Sequence, residues 1–156
     1  MQSLPKHGSC FVCGSPNSPG MGVVWYALDD NSIFAEVTLN DAQQGPPGLA
    51  HGGASAALLD EAMGAAVWLA GYRVASVNLN ISYRKPVPLG QSFKVTAQVN
   101  ERNGKKVTAV GEIRLADGTL AVSGEGIFVE APQLFTGLGA GSRFTDEPME
   151  IRETEK

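Results

Sequence analysis

One stretch constrains this chain more than any other: HGGASAALLDEAMGAAVWLAG, residues 51–71. It is the one long helix candidate, and it is apolar almost all round, from Ala54 through Leu58, Leu59, Ala62 and Met63 to Trp68 and Leu69. A surface helix shows one apolar stripe and one polar face. This segment has no sustained polar face, so it is expected to be buried and wrapped by the rest of the chain. At about 1.5 Å per residue it is roughly 28 Å long, the width of a small domain. Gly64, Asp60 and Glu61 interrupt it, which argues against a membrane span.

Two carboxylates on a buried helix need a reason, because a charge inside a core is costly unless paired, solvated or used. Adjacent helix positions differ by about 100°, so Asp60 and Glu61 cannot share one environment. One or both could instead cap a neighbouring backbone or sit at a solvent-facing edge. In front of them stands His51-Gly52-Gly53. A helix start offers free amide N–H groups and the positive end of the macrodipole, and glycines let a ligand approach the backbone closely. Such an end suits a phosphate, a carboxylate or a developing oxyanion. The blander alternative is that the glycines only make a tight turn after QQGPPGLA.

Gly53 and Asp60 are seven steps apart, about 700°, so they lie near the same side of the helix but about 10 Å apart along it. That is too far for one helix's amide and its own acid to act on one carbonyl carbon. If both serve one site, two copies of the helix must meet in opposite senses, as in a two-fold dimer. Glu61 lies about 80° further round and is read as a pairing or rim residue.

The 156 residues suffice for one domain with a real core. Hydrophobic content of 43% against 18% charged fits a globular fold rather than disorder. A net charge of −4 argues against a broad nucleic-acid surface. With no N-terminal apolar run and only two cysteines, the expectation is a soluble cytoplasmic protein without a disulfide framework or membrane insertion.

In chain order, residues 1–20 are polar and turn-rich and form an N-terminal arm. Cys10 and Cys13 make C-x-x-C, and His7 precedes at the same spacing. Three soft ligands suit zinc, but a closed structural site wants four. A redox dithiol usually opens a helix, which Gly14, Pro16 and Pro19 disfavour here. The arm with free thiols, the metal and the redox readings all stay open. Residues 21–28 and 32–39 read as strands joined by Asp29-Asp30-Asn31, with Ile33, Ala35, Val37 and Leu39 on one face. After the helix come strand-like runs at 74–83, 91–101, 105–115 and 119–130. Asn103-Gly104 and Asp117-Gly118 between the last three favour tight hairpins, so these strands form an antiparallel meander. Gly111, Gly124 and Gly126 lie within strands, where a missing side chain lets another element come close. The predicted organisation is α+β, order β-β-α-β-β-β-β, in one domain over 21–130, followed by a polar tail over 131–156.

That order, with H-G-G at the helix start and an acid nine residues after His51, resembles the hotdog-fold acyl-CoA thioesterases. The nearest likeness is to their phenylacetyl-degradation and thioesterase-superfamily-member branches. CFVCG…N-S-P-G-M and SVNLNISYRKPVPLG strengthen the resemblance, which runs from about residue 10 to 130.

The resemblance implies acyl-CoA hydrolysis with no metal or cofactor beyond the coenzyme A of the substrate. Gly52 and Gly53 would polarise the thioester carbonyl, and His51 would orient the loop or thioester. Asp60 of the partner chain would be general base or nucleophile. Ser76, sixteen residues after the acid, would orient the carboxylate or water, or else be an ordinary strand residue. Asn78 is a further polar candidate. Arg84 and Lys85, with Arg102, Lys105 and Lys106 behind them, would meet the coenzyme A phosphates. Leu59 and Met63 would bound the acyl pocket at a dimer seam, and dimers would pair into tetramers. The alternative is a non-catalytic acyl-CoA binder or sensor, which would not need Asp60.

Overall fold

The computed structural model describes residues 1–15 and 19–136. Its elements are β1 Gln2–Ser3, β2 Tyr26–Ala27, β3 Ile33–Thr38, α1 Gly52–Leu69, β4 Val74–Tyr83, β5 Ser92–Asn103, β6 Lys106–Leu115, β7 Leu120–Glu130 and α2 Gln133–Thr136. The strands form one sheet in the order β1-β2-β3-β5-β6-β7-β4, antiparallel throughout. The α1 connection therefore carries the chain from β3 past the whole meander to the opposite edge, where β4 pairs with β7.

Alternation builds the core. Ile33, Ala35 and Val37 of β3, Phe93, Val95 and Ala97 of β5, and Val107, Ala109 and Ile113 of β6 are buried against α1. At the centre, Gly111 of β6 pairs directly with Gly124 of β7. A Cβ on Gly111 would stand 3.1 Å from Leu59 and 3.3 Å from Met63, and one on Gly124 would stand 3.3 and 3.4 Å from the same two side chains. The paired glycines form a trough in which the helix lies close to the sheet, the approach that their position in strands implied.

Three expectations are refined. The helix is not buried all round: Leu58, Leu59, Ala62, Met63, Ala66 and Val67 face the core, while Asp60, Glu61, Gly64 and Ala65 are half-buried on its flank. The strand expected over 21–28 contracts to Tyr26–Ala27, because residues 21–23 are tied instead to the arm: Met21 and Val23 N–H donate to the carbonyls of Phe11 and Val12 at 2.9 Å. The arm is correspondingly packed, with Val12 and Cys13 in the core beside Val23 and Trp25 of the following segment. The tail expected over 131–156 begins with the short α2, where Phe135 meets the Trp68 ring edge-on at 5.0 Å. From residue 137 onward it lies outside the described residues, as does the N-S of the arm motif.

Candidate active site

The start of α1 is set by a cap. His51 is extended (φ −62°, ψ 139°), and its Nδ1 accepts the Gly53 N–H at 2.9 Å. Its own N–H donates to the Gln43 carbonyl at 2.8 Å, which fixes the incoming loop. One expected donor is thereby committed: Gly53 N–H serves the histidine ring, and Gly52, exposed like Gly53, precedes it. Tyr83, at the end of β4, covers this turn. Its hydroxyl donates to the Gly52 carbonyl at 2.8 Å, and its ring lies 3.4 Å from where a Gly52 Cβ would stand.

Two turns further along, Asp60 meets Ser76. The Ser76 hydroxyl donates to Asp60 Oδ1 at 2.8 Å. This side-chain pair spans sixteen residues because β4 returns beside the helix that precedes it. A register shift in the β4–β7 ladder between Ser76 and Asn78 bends the strand just past the serine.

Asp60 and Ser76 border a cavity of about 230 Å³ whose other walls include the aromatic rings of Trp25, Trp68, Phe128 and Phe135, with Leu4 and His7 from the arm. The Trp25 indole N–H is buried without an acceptor among the described residues. A larger hollow of about 620 Å³ lies on the strand face away from α1, around Asn80, Ser82, Glu112 and Glu125. Glu112 there is bound to Arg114 at 2.8 Å, and Asp60 borders only the smaller of these two hollows.

The comparisons with known proteins bear on the fold. Residues 47–122 match the thioesterase superfamily profile. The match spans 76 of the 156 residues, so over about half its length the chain resembles that superfamily. A solved thioesterase superfamily protein is 40% identical with a TM-score of 0.74, over 80% of this chain and 63% of that one. A phenylacetic acid degradation-related putative thioesterase of Ralstonia eutropha is 26% identical with a TM-score of 0.63, over 70% and 85%. The acyl-coenzyme A thioesterase THEM4 of Bos taurus is 36% identical over 88 residues, 56% of this chain. The chain spans only 36% of that relative's length. The sheet wrapped on one long helix is the hotdog arrangement.

Other expected site residues fall in different places. Leu59 and Met63 are fully buried in the glycine trough, so they are core here and not cavity wall. Asn78 is exposed on β4. Arg84 and Lys85 are exposed just past the end of β4, their backbone N–H groups both donating to the Ala121 carbonyl. Arg102 is occupied: it bonds the Tyr72 hydroxyl at 2.9 Å and the Gly104 carbonyl at 3.0 Å, lies over the Tyr72 ring and pairs with Glu130. Glu61, expected to be a pairing or rim residue, pairs with the arm. Its Oε1 accepts the Cys13 thiol at 2.9 Å and lies 3.6 Å from Cys10 Sγ and 3.7 Å from His7 Nδ1. Burial pushes the Cys13 thiol up, and the hydrogen bond to Glu61 and the charge of that carboxylate add to it. For Glu61 burial acts upward, but the bonds from His7 and Cys13 prevail and hold the carboxyl below its usual value.

Tyr83 and the aromatic cavity walls were absent from the sequence reading. Tyr83 sits in the ISYRKP run that follows the helix, and its position in that otherwise recognisable segment was the available signal. Trp25 and Phe135 come from regions whose local patterns gave no sign of proximity to Asp60.

Proposed function

We propose that this chain hydrolyses acyl-CoA thioesters to the free acid and coenzyme A. The observation that carries the reading is the Asp60 carboxylate, held by Ser76 at 2.8 Å on the border of an aromatic-walled cavity. The relatives named acyl-coenzyme A thioesterases support the substrate class. Asp60 takes a proton from water, and the water oxygen attacks the thioester carbonyl carbon. The charge that develops on the carbonyl oxygen is met by the Gly52 N–H at the positive end of α1. Collapse of the tetrahedral intermediate breaks the C–S bond, and the proton taken from water goes to the departing thiolate. Ser76 positions the carboxylate. His51 fixes the turn through Gly53, which leaves Gly52 as the amide donor.

Gly52 and Asp60 are eight residues apart on one helix, about 12 Å along the axis. Both act on one carbonyl only if Gly52 of one protomer faces Asp60 of another, so the enzyme is a homodimer in this account. β4 supplies the surface for it: an edge strand of ten residues with Val77 59% and Tyr83 55% exposed. An unpaired edge of this kind invites pairing with a second copy, and two dimers associate further into a tetramer. The acyl group enters the aromatic cavity. At about 230 Å³ this is smaller than the roughly 300–1,000 Å³ of drug-sized ligand pockets, which favours a compact acyl group. Arg84 and Lys85 meet the coenzyme A phosphates. Arg84→Ala is expected to raise KM for acyl-CoA while leaving KM for a short thioester without the nucleotide unchanged. Equal effects on both would remove Arg84 from coenzyme A binding.

The function is tested by measuring free coenzyme A released from a panel of aryl and aliphatic acyl-CoAs. Turnover of at least one compact acyl-CoA is expected. Saturable binding with no release from any member would favour a non-catalytic sensor.

A further inference from the structure

The arm and the helix flank bring four ligating groups to one point: His7, Cys10, Cys13 and Glu61, with donor atoms all within 4.8 Å of one another. We propose that these four residues form a tetrahedral zinc site that fastens the N-terminal arm to α1. The site is separate from the proposed hydrolytic chemistry and does not rest on it.

Three observations carry the proposal. The first is shape. Zinc with ligands at about 2.0–2.3 Å places tetrahedral ligand atoms about 3.3–3.8 Å from one another. Cys13 Sγ to His7 Nδ1 is 3.5 Å, Cys10 Sγ to Glu61 Oε1 is 3.6 Å and His7 Nδ1 to Glu61 Oε1 is 3.7 Å. Cys13 Sγ donates to Glu61 Oε1 at 2.9 Å, a distance shorter than that range, so this pair would open slightly on binding the metal. The sequence alone supplied three ligands of the four a closed site wants; folding supplies the fourth from α1.

The second is the backbone around Cys10. The Val12 and Cys13 N–H groups both point at Cys10 Sγ at 3.4 Å. A thiol sulfur is a weak acceptor. Two amides on one sulfur suit a thiolate, and such outer contacts orient and tune a metal ligand. The turn is closed by Gly14 N–H on the Cys10 carbonyl at 3.0 Å and by Cys10 N–H on the His7 carbonyl at 2.9 Å. Gly20 packs on the same loop so tightly that a Cβ would come within 2.6 Å of the Cys10 and Phe11 carbonyl oxygens. The geometry of the loop is therefore held from outside the cluster.

The third is charge and donor type. Glu61 is 24% exposed, and its partners in the cluster are thiols and an imidazole. Partly buried charges of this kind are paired or coordinate metals. Two thiolates, a neutral imidazole and a carboxylate match zinc, whose ligands are cysteine sulfur, histidine nitrogen and carboxylate oxygen. With all four positions filled by protein there is no open coordination site for water, so the metal is structural. Its consequence is local: His7 and Glu61 also border the cavity beside Asp60, and the metal would hold that wall in place.

Elemental analysis of the full chain purified from zinc-supplemented cells is expected to find about one zinc per chain. Cobalt(II) exchanged into the same protein should show thiolate-to-metal charge transfer in the near ultraviolet and the intense visible bands of tetrahedral coordination. Glu61→Gln, which keeps the shape of the side chain, should weaken zinc binding at least about tenfold. Cys10→Ser and Cys13→Ser should each remove part of the charge-transfer intensity. Wild-type protein that carries no zinc, takes up no cobalt and leaves both thiols open to a thiol reagent or joined as a disulfide would overturn the proposal. So would zinc retained at full affinity in the cysteine variants.

Discussion

A carboxylate on a helix flank serves best as a base when its oxygens are held, and in the proposed mechanism one residue holds one oxygen of Asp60. Ser76 reaches Asp60 at 2.8 Å from the strand that returns beside α1. Ser76→Ala should lower kcat about 10–100-fold, the scale of a hydrogen bond to a charged group, with KM little changed, while Ser76→Thr recovers much of the loss. A loss confined to KM would show that the serine serves binding and not the base. At this scale the sequence was informative where chemistry follows local spacing. The contrast between Asp60 and Glu61 is a one-helix fact, read from a step of about 100°. What Glu61 meets was not legible: its partners lie 48 to 54 residues earlier, and only packing of the arm brings them to it. The division of labour between Gly52 and Gly53 was equally hidden, because it depends on which way the His51 ring turns.

At the scale of elements, the placement of the site depends on how closely α1 lies against the sheet. Glycine at positions 111, 124 and 126 makes that closeness available, and Leu59 and Met63 fill it. A Cβ on Gly126 would stand 2.7 Å from the Phe128 ring. Gly126→Ala is therefore expected to destabilise the protein by about 1–3 kcal/mol, the range for overpacking a core, and chemical denaturation would measure it. Unchanged stability would mean that Phe128 moves aside freely and the trough is loosely packed. The helix, the meander and its turns were legible because their signals are local: apolar runs, period-two alternation and Asn-Gly or Asp-Gly pairs. The strand over 21–28 was overread because its β-branched and aromatic residues pack on the arm, and composition does not say which partner a chain segment takes. Leu59 and Met63 were assigned to the pocket for a similar reason. A buried apolar residue on a site-bearing helix can face either the core or a cavity, and only the sheet's position decides.

At the scale of the molecule, the proposed mechanism needs a second copy of the chain. A single chain leaves β4 as an edge with Val77 and Leu79 exposed, and it separates its own Gly52 from Asp60. Introducing charge with Val77→Lys and Leu79→Lys should convert a dimer to monomers in sedimentation and abolish most turnover. Monomers that keep full activity would mean that one chain assembles the whole site. Within the described residues no helix is long and apolar enough to cross a membrane.

Whether Asp60 carries thioester hydrolysis is decided by steady-state release of coenzyme A from the best acyl-CoA, wild type beside Asp60→Asn. The substitution preserves shape and removes the proton acceptor. A fall in kcat of at least about 100-fold is expected, on the scale of general-base catalysis, with acyl-CoA still bound and the fold intact by circular dichroism. Hydrolysis at the wild-type rate in the folded variant would contradict that role of Asp60.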